Sequence, residues 1–227
     1  MATGKINWEV WNEKFTAAKS LMQTRSKNRA VLIEVAAQHP LADGVRPGLE
    51  FSQRLIEAVR LYGVATAMGL SPVIYVPGSR HQYHEVADQV SLSQAGVAFL
   101  KQQGIPPDVL HGDDINARYK GSRGIYNSAD ECFVAAKYFK ENAFKQLWSV
   151  VSPAQLLRKA LHYIWFGVLS QMYSVPIETA YHDYLREAYD AVPYVREMDP
   201  DSQAEHSAWA EQSRLERKPK EVHNSSL

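Results

Sequence analysis

The sequence predicts an α/β protein: a Rossmann-like, largely parallel sheet flanked by helices, with extra N- and C-terminal helices. Two observations carry that expectation. Short runs rich in β-branched residues alternate with longer segments whose apolar residues recur every three or four positions. The first run is apolar almost throughout, as in a strand covered on both faces, and the helical segments are long enough to cross between parallel neighbours.

Residues 5–24 place Trp8, Trp11, Phe15, Ala18 and Met22 at helical steps, so an amphipathic helix opens the chain. "AVLIEVA" (Ala30–Ala36) is the first strand. "FSQRLIEAVRLYGVATAMG" then aligns Phe51, Leu55, Val59 and Tyr62 on one helical face, with Gly69 as its stop. "PVIYVPGS" (Pro72–Ser79) is a second strand and Ser91–Gly104 a second helix of this alternation. "DVLHG" (Asp108–Gly112) is a weaker third strand, followed by a helix over Ser128–Asn142. "LWSVVS" (Leu147–Ser152) is a fourth strand and Pro153–Gly167 a helix, and residues 177–191 predict one more. From about Met198 the composition turns polar. These patterns divide the chain into an N-terminal helical extension (1–28), an α/β domain (29–192) and a polar tail (193–227).

Composition narrows the function classes. With 45% apolar and 22% charged residues, the chain has the balance of a folded soluble protein. Lys and Arg number 25 and so do Asp and Glu, so no overall field draws it to nucleic acid or to an anionic membrane. The single cysteine, Cys132, forms no internal disulfide and suits a reducing compartment. The N-terminal residues lack the apolar core of a signal peptide, and "ALHYIWFGVL" is too short to span a bilayer. A cytoplasmic location is the expectation. No G-x-G-x-x-G follows the first strand, and neither a G-x-x-x-x-G-K-S/T loop nor a G-x-S-x-G elbow occurs. Dinucleotide oxidoreductase, P-loop NTPase and serine hydrolase readings recede accordingly.

In open parallel sheets, ligands bind beyond the carboxyl ends of the strands. Here the loops at that edge are "QHPLADGVRPG", "PGSRHQYHE", "GDDINARYKGSRGIYNSADE" and "SPAQLLR", all rich in polar side chains, whereas "MGLSP" and "QQGIPPD" at the opposite edge carry few titratable groups. Asp113 and Asp114 are acid/base candidates and equally an ordinary turn pair. His81 has a side chain suited to proton transfer near neutrality, and Arg80 and His84 can contact substrate beside it. His81 and His84 with Glu85 or Asp113 offer a metal-ligand spacing too weak to assign, so no metal site is assigned and the cofactor is left unknown. Ser128 with Glu131 and Ser152 with Gln155 match the capping-box pattern. Two such helix starts facing one crevice favour an anion, so Asn127, Ser128, Glu131, Ser152 and Arg158 complete the substrate-binding set. Arg118, Lys120 and Arg123 lie in a segment that can close as a lid or remain a solvated loop.

The succession "RLIEAVRLYGVATAMGLSPVIYVPGS", "SLSQAGVAFLKQQGIPPDVL", "YNSADECFVAAKYF" and "LWSVVSPAQLLRKAL" resembles the YdcF-like group that includes SanA- and ElyC-type proteins. Arg54 falls at that family's helix arginine, Gly78 in the turn after the second strand and Gly104-Ile105-Pro106 at its Gly-Ile/Val-Pro turn. Asn127-Ser128 with Asp130 or Glu131 matches the Asn-Thr-x-Glu helix start, and Val151-Ser152 with Arg158 the last segment. The likeness spans about Ala30 to Gly167. It departs where "EVAAQ" replaces the family's Gly-Gly, and where Gln155 stands near the family's histidine. The resemblance implies the fold more than a reaction.

The expectation is an intracellular enzyme, a hydrolase or group transferase acting on a small anionic, phosphate- or nucleotide-bearing metabolite. The alternatives are a non-catalytic ligand-binding or regulatory module, or a subunit of a larger assembly, a homo-oligomer included. Neither nucleic acid nor a membrane is expected as a partner.

Overall fold

The computed structural model describes residues 8–24, 30–37, 41–81, 88–116, 123–125 and 127–175. Its centre is a five-stranded sheet, in which every neighbouring pair is parallel. The strands are β1 (Ala30–Val35), β2 (Ser71–Pro77), β3 (Leu110–Asp113), β6 (Gln146–Val151) and β7 (Ser170–Ser174), in the order β3-β2-β1-β6-β7. The Rossmann-like α/β architecture expected from the sequence is therefore present.

The core explains the sheet. Val31, Ile33 and Val35 of β1 are fully buried against α2 (Leu49–Ala67), where Phe51, Leu55, Ala58 and Leu61 are buried in turn. Packed beside α2 is α3 (Leu92–Gln102), on the same face of the sheet. Leu32 points to the other face, into a second core with Cys132 and Phe139 of α4 (Ser128–Glu141) and Tyr163 of α5 (Leu156–Trp165). Period-two alternation along β1 thus feeds two cores at once, and it directs Glu34 into the second of them. Against α5 lies α1 (Trp8–Thr24), through Trp11 and Trp165, whose ring centres are 5.5 Å apart. Trp11 and Ala18 are buried while Trp8 and Phe15 stay exposed, so the covered stripe of α1 is narrower than its apolar periodicity suggests.

Three local differences from the sequence reading matter. The segment at 108–109 belongs to a short 3-10 turn, Pro107–Val109, and the strand begins at Leu110 and runs to Asp113. Two consecutive prolines lack the amide donors that a ladder needs, so pairing starts later. Strand β7, "SQMYS", has no apolar run to announce it, because it is an edge strand with one neighbour and half-exposed side chains. Part of the segment expected as a lid or a solvated loop forms a small antiparallel pair, β4 (Ile115–Asn116) with β5 (Arg123–Gly124). The helix expected at 177–191, His84 with Glu85, and Arg118 with Lys120 fall outside the described residues.

The chain runs outward from β1 to β2 and β3, then returns across the sheet to β6 and outward again to β7. The switch point lies between β1 and β6, the position at which such sheets open a crevice at their carboxyl edge.

Candidate functional site at the carboxyl edge

Four strand ends build this edge. Beyond β2, Gly78 sits where an added Cβ would lie 2.8 Å from Ala37 Cβ and 2.9 Å from Leu92 Cβ. Only glycine lets the loops after β1 and β2 approach so closely. The Gly78 amide donates to Asp113 O at 2.8 Å, and the Ser79 amide donates to Ile125 O at 3.0 Å. Ser79 Oγ accepts from the Ile125 amide at 2.5 Å and donates to Asp114 O. Ser79 therefore stitches the second loop to both sides of the β4–β5 hairpin. Fully buried Asn116 donates to Asp130 Oδ1 at 3.1 Å, which ties the hairpin to α4.

Asp113 is largely committed to structure. Its Oδ2 accepts from Tyr75 Oη at 3.0 Å, and its Oδ1 accepts from the Ile115 amide at 3.0 Å, closing an Asx-type turn. Burial, with Asp113 adding to it, pushes the Tyr75 phenol far above its ordinary range. Tyr75 stacks with His111 and Tyr138, and burial lowers the His111 pKa against the opposing pull of Asp113. Asp114 differs: its carboxylate is partly exposed and has no hydrogen-bond partner among the described residues.

A buried aspartate that sequence reasoning missed organises the second loop. Asp88 Oδ1 accepts from the Leu41 amide at 3.1 Å and Oδ2 from the His81 amide at 3.3 Å. Arg80 Nε donates to Asp88 O at 2.6 Å, and the Asp88 amide donates to His81 O at 3.1 Å. His81 is consequently buried and anchored at its backbone, while Arg80 is exposed. Nothing in "EVADQV" marks Asp88 as different from a surface residue.

The capping boxes expected at Ser128 and Ser152 do not form. Asn127 caps α4, its Oδ1 accepting from the Asp130 amide at 2.9 Å. Asparagine one residue earlier has the reach and the extended backbone that a cap requires, which leaves the Ser128 hydroxyl without a partner among the described residues. Ser152 makes no cap contact. Its Oγ instead accepts from Arg54 Nε at 3.0 Å and Nη2 at 2.6 Å, and donates to Glu50. Arg54 also donates from Nη1 to Ala36 O at 2.9 Å and to Ala37 O at 3.2 Å. Arg54 and Ser152 thereby join the ends of β1 and β6 across the switch point.

Glu131 does not face the crevice with the anion-binding candidates. It is buried, with Oε2 3.0 Å from Lys159 Nζ, which also lies 2.6 Å from Glu34 Oε1. Ser149 Oγ donates to Glu34 Oε2. Burial raises the Glu131 pKa, and Lys159 only partly offsets it. Burial would lower Lys159, but Glu131 and Glu34 outweigh it and hold the ammonium above its ordinary value. The Glu131–Lys159 pair links the first turn of α4 to the first turn of α5, so the two helix starts that carry Ser128 and Arg158 lie side by side. Lys159 and Glu34 were legible only as charged residues inside apolar patterns, "AVLIEV" and "LLRKALHYIW". Cys132 is buried in the second core, and burial pushes its thiol up, as for an inert packing residue.

A separate groove of about 700 Å³ lies between the C-terminal turns of α4 and α5 and the side of α1, lined by Lys14, Leu21, Phe133, Lys140 and Trp165. Those turns lead into the starts of β6 and β7, so the groove is at the amino edge, away from the site described above. Among the described residues no helix is long and apolar enough to cross a membrane, and no cluster of three metal-ligating side chains occurs.

The class defined by fold and site geometry is a Rossmann-like α/β protein with a polar carboxyl edge. No protein-family model matches the chain, and no curated protein sequence matches it.

Proposed function

We propose that this chain binds a small anionic metabolite, phosphate- or nucleotide-bearing, at the carboxyl edge, and acts on it inside the cell as a hydrolase or group transferase. One observation carries the reading: the starts of α4 and α5 lie side by side at that edge, held by the Glu131–Lys159 pair. Helix starts present amide donors and a positive dipole end, which favour an oxyanion. Ser128 Oγ and Arg158 are the side chains for the anion, with Asn127 keeping the α4 start in shape. Asp114 is the leading acid/base candidate because its carboxylate has no structural partner among the described residues, whereas Asp113 is held by Tyr75 and Ile115. His81 comes third, and the succession of motifs resembling the YdcF-like group supports the same edge.

The second reading is a non-catalytic sensor using the same crevice. It is favoured by the commitment of Asp113, Asn127 and Ser152 to structural hydrogen bonds. A thermal-shift panel of inorganic phosphate, nucleotides and sugar phosphates tests both. A ligand at one hundred times its Kd adds about 2.7 kcal/mol of stability. Ser128→Ala and Arg158→Gln should each weaken any hit. Asp114→Asn should abolish turnover while leaving affinity nearly intact in an enzyme. A hit untouched by the Ser128 and Arg158 changes removes the site from the starts of α4 and α5.

A further inference from the structure

We propose that Arg54 and Ser152 form an oxyanion subsite at the switch point which the chain fills with its own Glu50 carboxylate, and that a ligand carboxylate or phosphate binds there by displacing Glu50. The inference rests on the reading that the carboxyl edge receives an anion, but it names residues other than those at the starts of α4 and α5.

The receptor half is rigid and buried. The Arg54 side chain is wholly buried, Ser152 nearly so, and both are held by the ends of β1 and β6. Arg54 Nη2 and Ser152 Oγ both donate to a single oxygen, Oε1 of Glu50. Two donors from different elements converging on one oxygen is the geometry with which proteins hold carboxylates and phosphates. A buried guanidinium without a counter-charge is strongly unfavourable. Of the carboxylates that act on Arg54 the contribution of Glu50 is the largest, ahead of Glu131 and Glu34, so an anion at this position is favoured.

The occupant half is loose. Glu50 lies in the first turn of α2, and its side chain remains 34% exposed. Its second oxygen, Oε2, has no hydrogen-bond partner among the described residues. Rotation about the Glu50 side chain moves the carboxylate into water, where it is well solvated, and leaves the two donors facing the crevice. The α2 start, capped by Gly48 without a side-chain hydrogen bond, adds a positive dipole end for the incoming group. A tethered carboxylate competes as though present at millimolar concentration or above, so the native chain should bind simple anions weakly. A ligand with further contacts at Ser128 or Arg158 overcomes that competition.

Calorimetric titration of inorganic phosphate and of acetate at constant ionic strength tests this. The proteins are wild type, Glu50→Ala, Glu50→Ala/Ser152→Ala and Glu57→Ala, the last removing an equal charge that pairs with Arg60 elsewhere on α2. Glu50→Ala should bind phosphate at least tenfold more tightly than wild type and Glu57→Ala, and the added Ser152→Ala should cancel the gain. Acetate competing with phosphate extends the subsite to carboxylates, while phosphate binding alone restricts it to phosphate. Equal affinities in Glu50→Ala and Glu57→Ala would mean a general charge effect and overturn the subsite. So would a folded Glu50→Ala protein that binds neither anion. If Glu50→Ala fails to fold, Glu50→Gln is judged by the same criterion. Phosphate binding that Ser128→Ala abolishes but Glu50→Ala leaves unchanged overturns the subsite and keeps the anion-binding edge.

Discussion

Lys159 Nζ lies 2.6 Å from Oε1 of Glu34, and both side chains are wholly buried. With Glu131 on the other side of the same ammonium, one cation is shared by two carboxylates between β1, α4 and α5. Buried ion pairs rarely add net stability over well-packed apolar residues, but breaking one leaves a charge with no solvent and no partner. The arrangement therefore acts on position. It holds the starts of α4 and α5 in one register at the edge where the anion is proposed to bind.

Lys159→Met is expected to cost about 3–5 kcal/mol at neutral pH, because two carboxylates lose their buried counter-ion. Adding Glu34→Gln and Glu131→Gln should return much of that loss. The sign with pH follows from linkage. The Lys159 pKa is raised on folding, so its contribution is fully present below about pH 10.5 and declines as pH rises through the folded value. Glu131 is raised, so removing its cation hurts least in acid, and the loss grows as pH rises from its unfolded value near 4.5 through its raised folded value. Urea midpoints of wild type and Lys159→Met at pH 5 and pH 8 should therefore differ less at the lower pH. A deficit independent of pH would exclude this electrostatic account.

His111 gives a second pH dependence. Its pKa is lowered chiefly by burial, so the unfolded chain binds the proton more readily near pH 6.5. Its contribution is present above that value and is lost as pH falls through the folded pKa. His111→Gln should show a shallower loss of stability than wild type between about pH 6.5 and 5. Parallel curves for the two proteins would remove His111 as the source. The partial exposure of the ring keeps the expected difference small.

The two candidates for the α4 cap separate cleanly by mutation. Asn127→Ala deletes the acceptor of the Asp130 amide and should cost about 1 kcal/mol. Ser128→Ala should lie within about 0.5 kcal/mol of wild type, since its hydroxyl has no partner among the described residues. Denaturant unfolding of both variants decides the matter, and the reverse ranking would restore Ser128 as the cap.

Gly78→Ala forces a Cβ to within 2.8 Å of Ala37 Cβ and 2.9 Å of Leu92 Cβ, neither of which is the end of a flexible side chain. A loss of about 1–3 kcal/mol is expected from this overpacking. Thermal unfolding would report it. An unchanged midpoint would mean that the loops after β1 and β2 can separate without loss.

Much of the architecture was legible because burial leaves a periodic trace. "AVLIEV", "PVIYV" and "LWSVV" are apolar where strands are covered on both faces, and the segments between them repeat at helical spacing. β7 left no such trace, since an edge strand with one neighbour needs few apolar side chains. Arg54 was visible only through its place in a resembling motif, and Glu50 one helical turn earlier looked like any exposed i, i+4 pair.

By itself, then, the sequence determined the class of fold, the alternation of strands and helices, and the edge of the sheet at which polar loops gather. Tertiary structure alone decided which of those polar residues are committed. Asp113, Ser152 and Glu131 are each taken up by a partner from another element and Asn127 by the helix it caps, while Asp114 and Ser128 keep side-chain atoms without a partner among the described residues. Hydrogen-bond and ion-pair partners such as Glu34 and Lys159 lie 125 residues apart in sequence. Local periodicity reports burial, a property of one residue's own surroundings, whereas pairing across that separation depends on strand order and register, which no local pattern encodes.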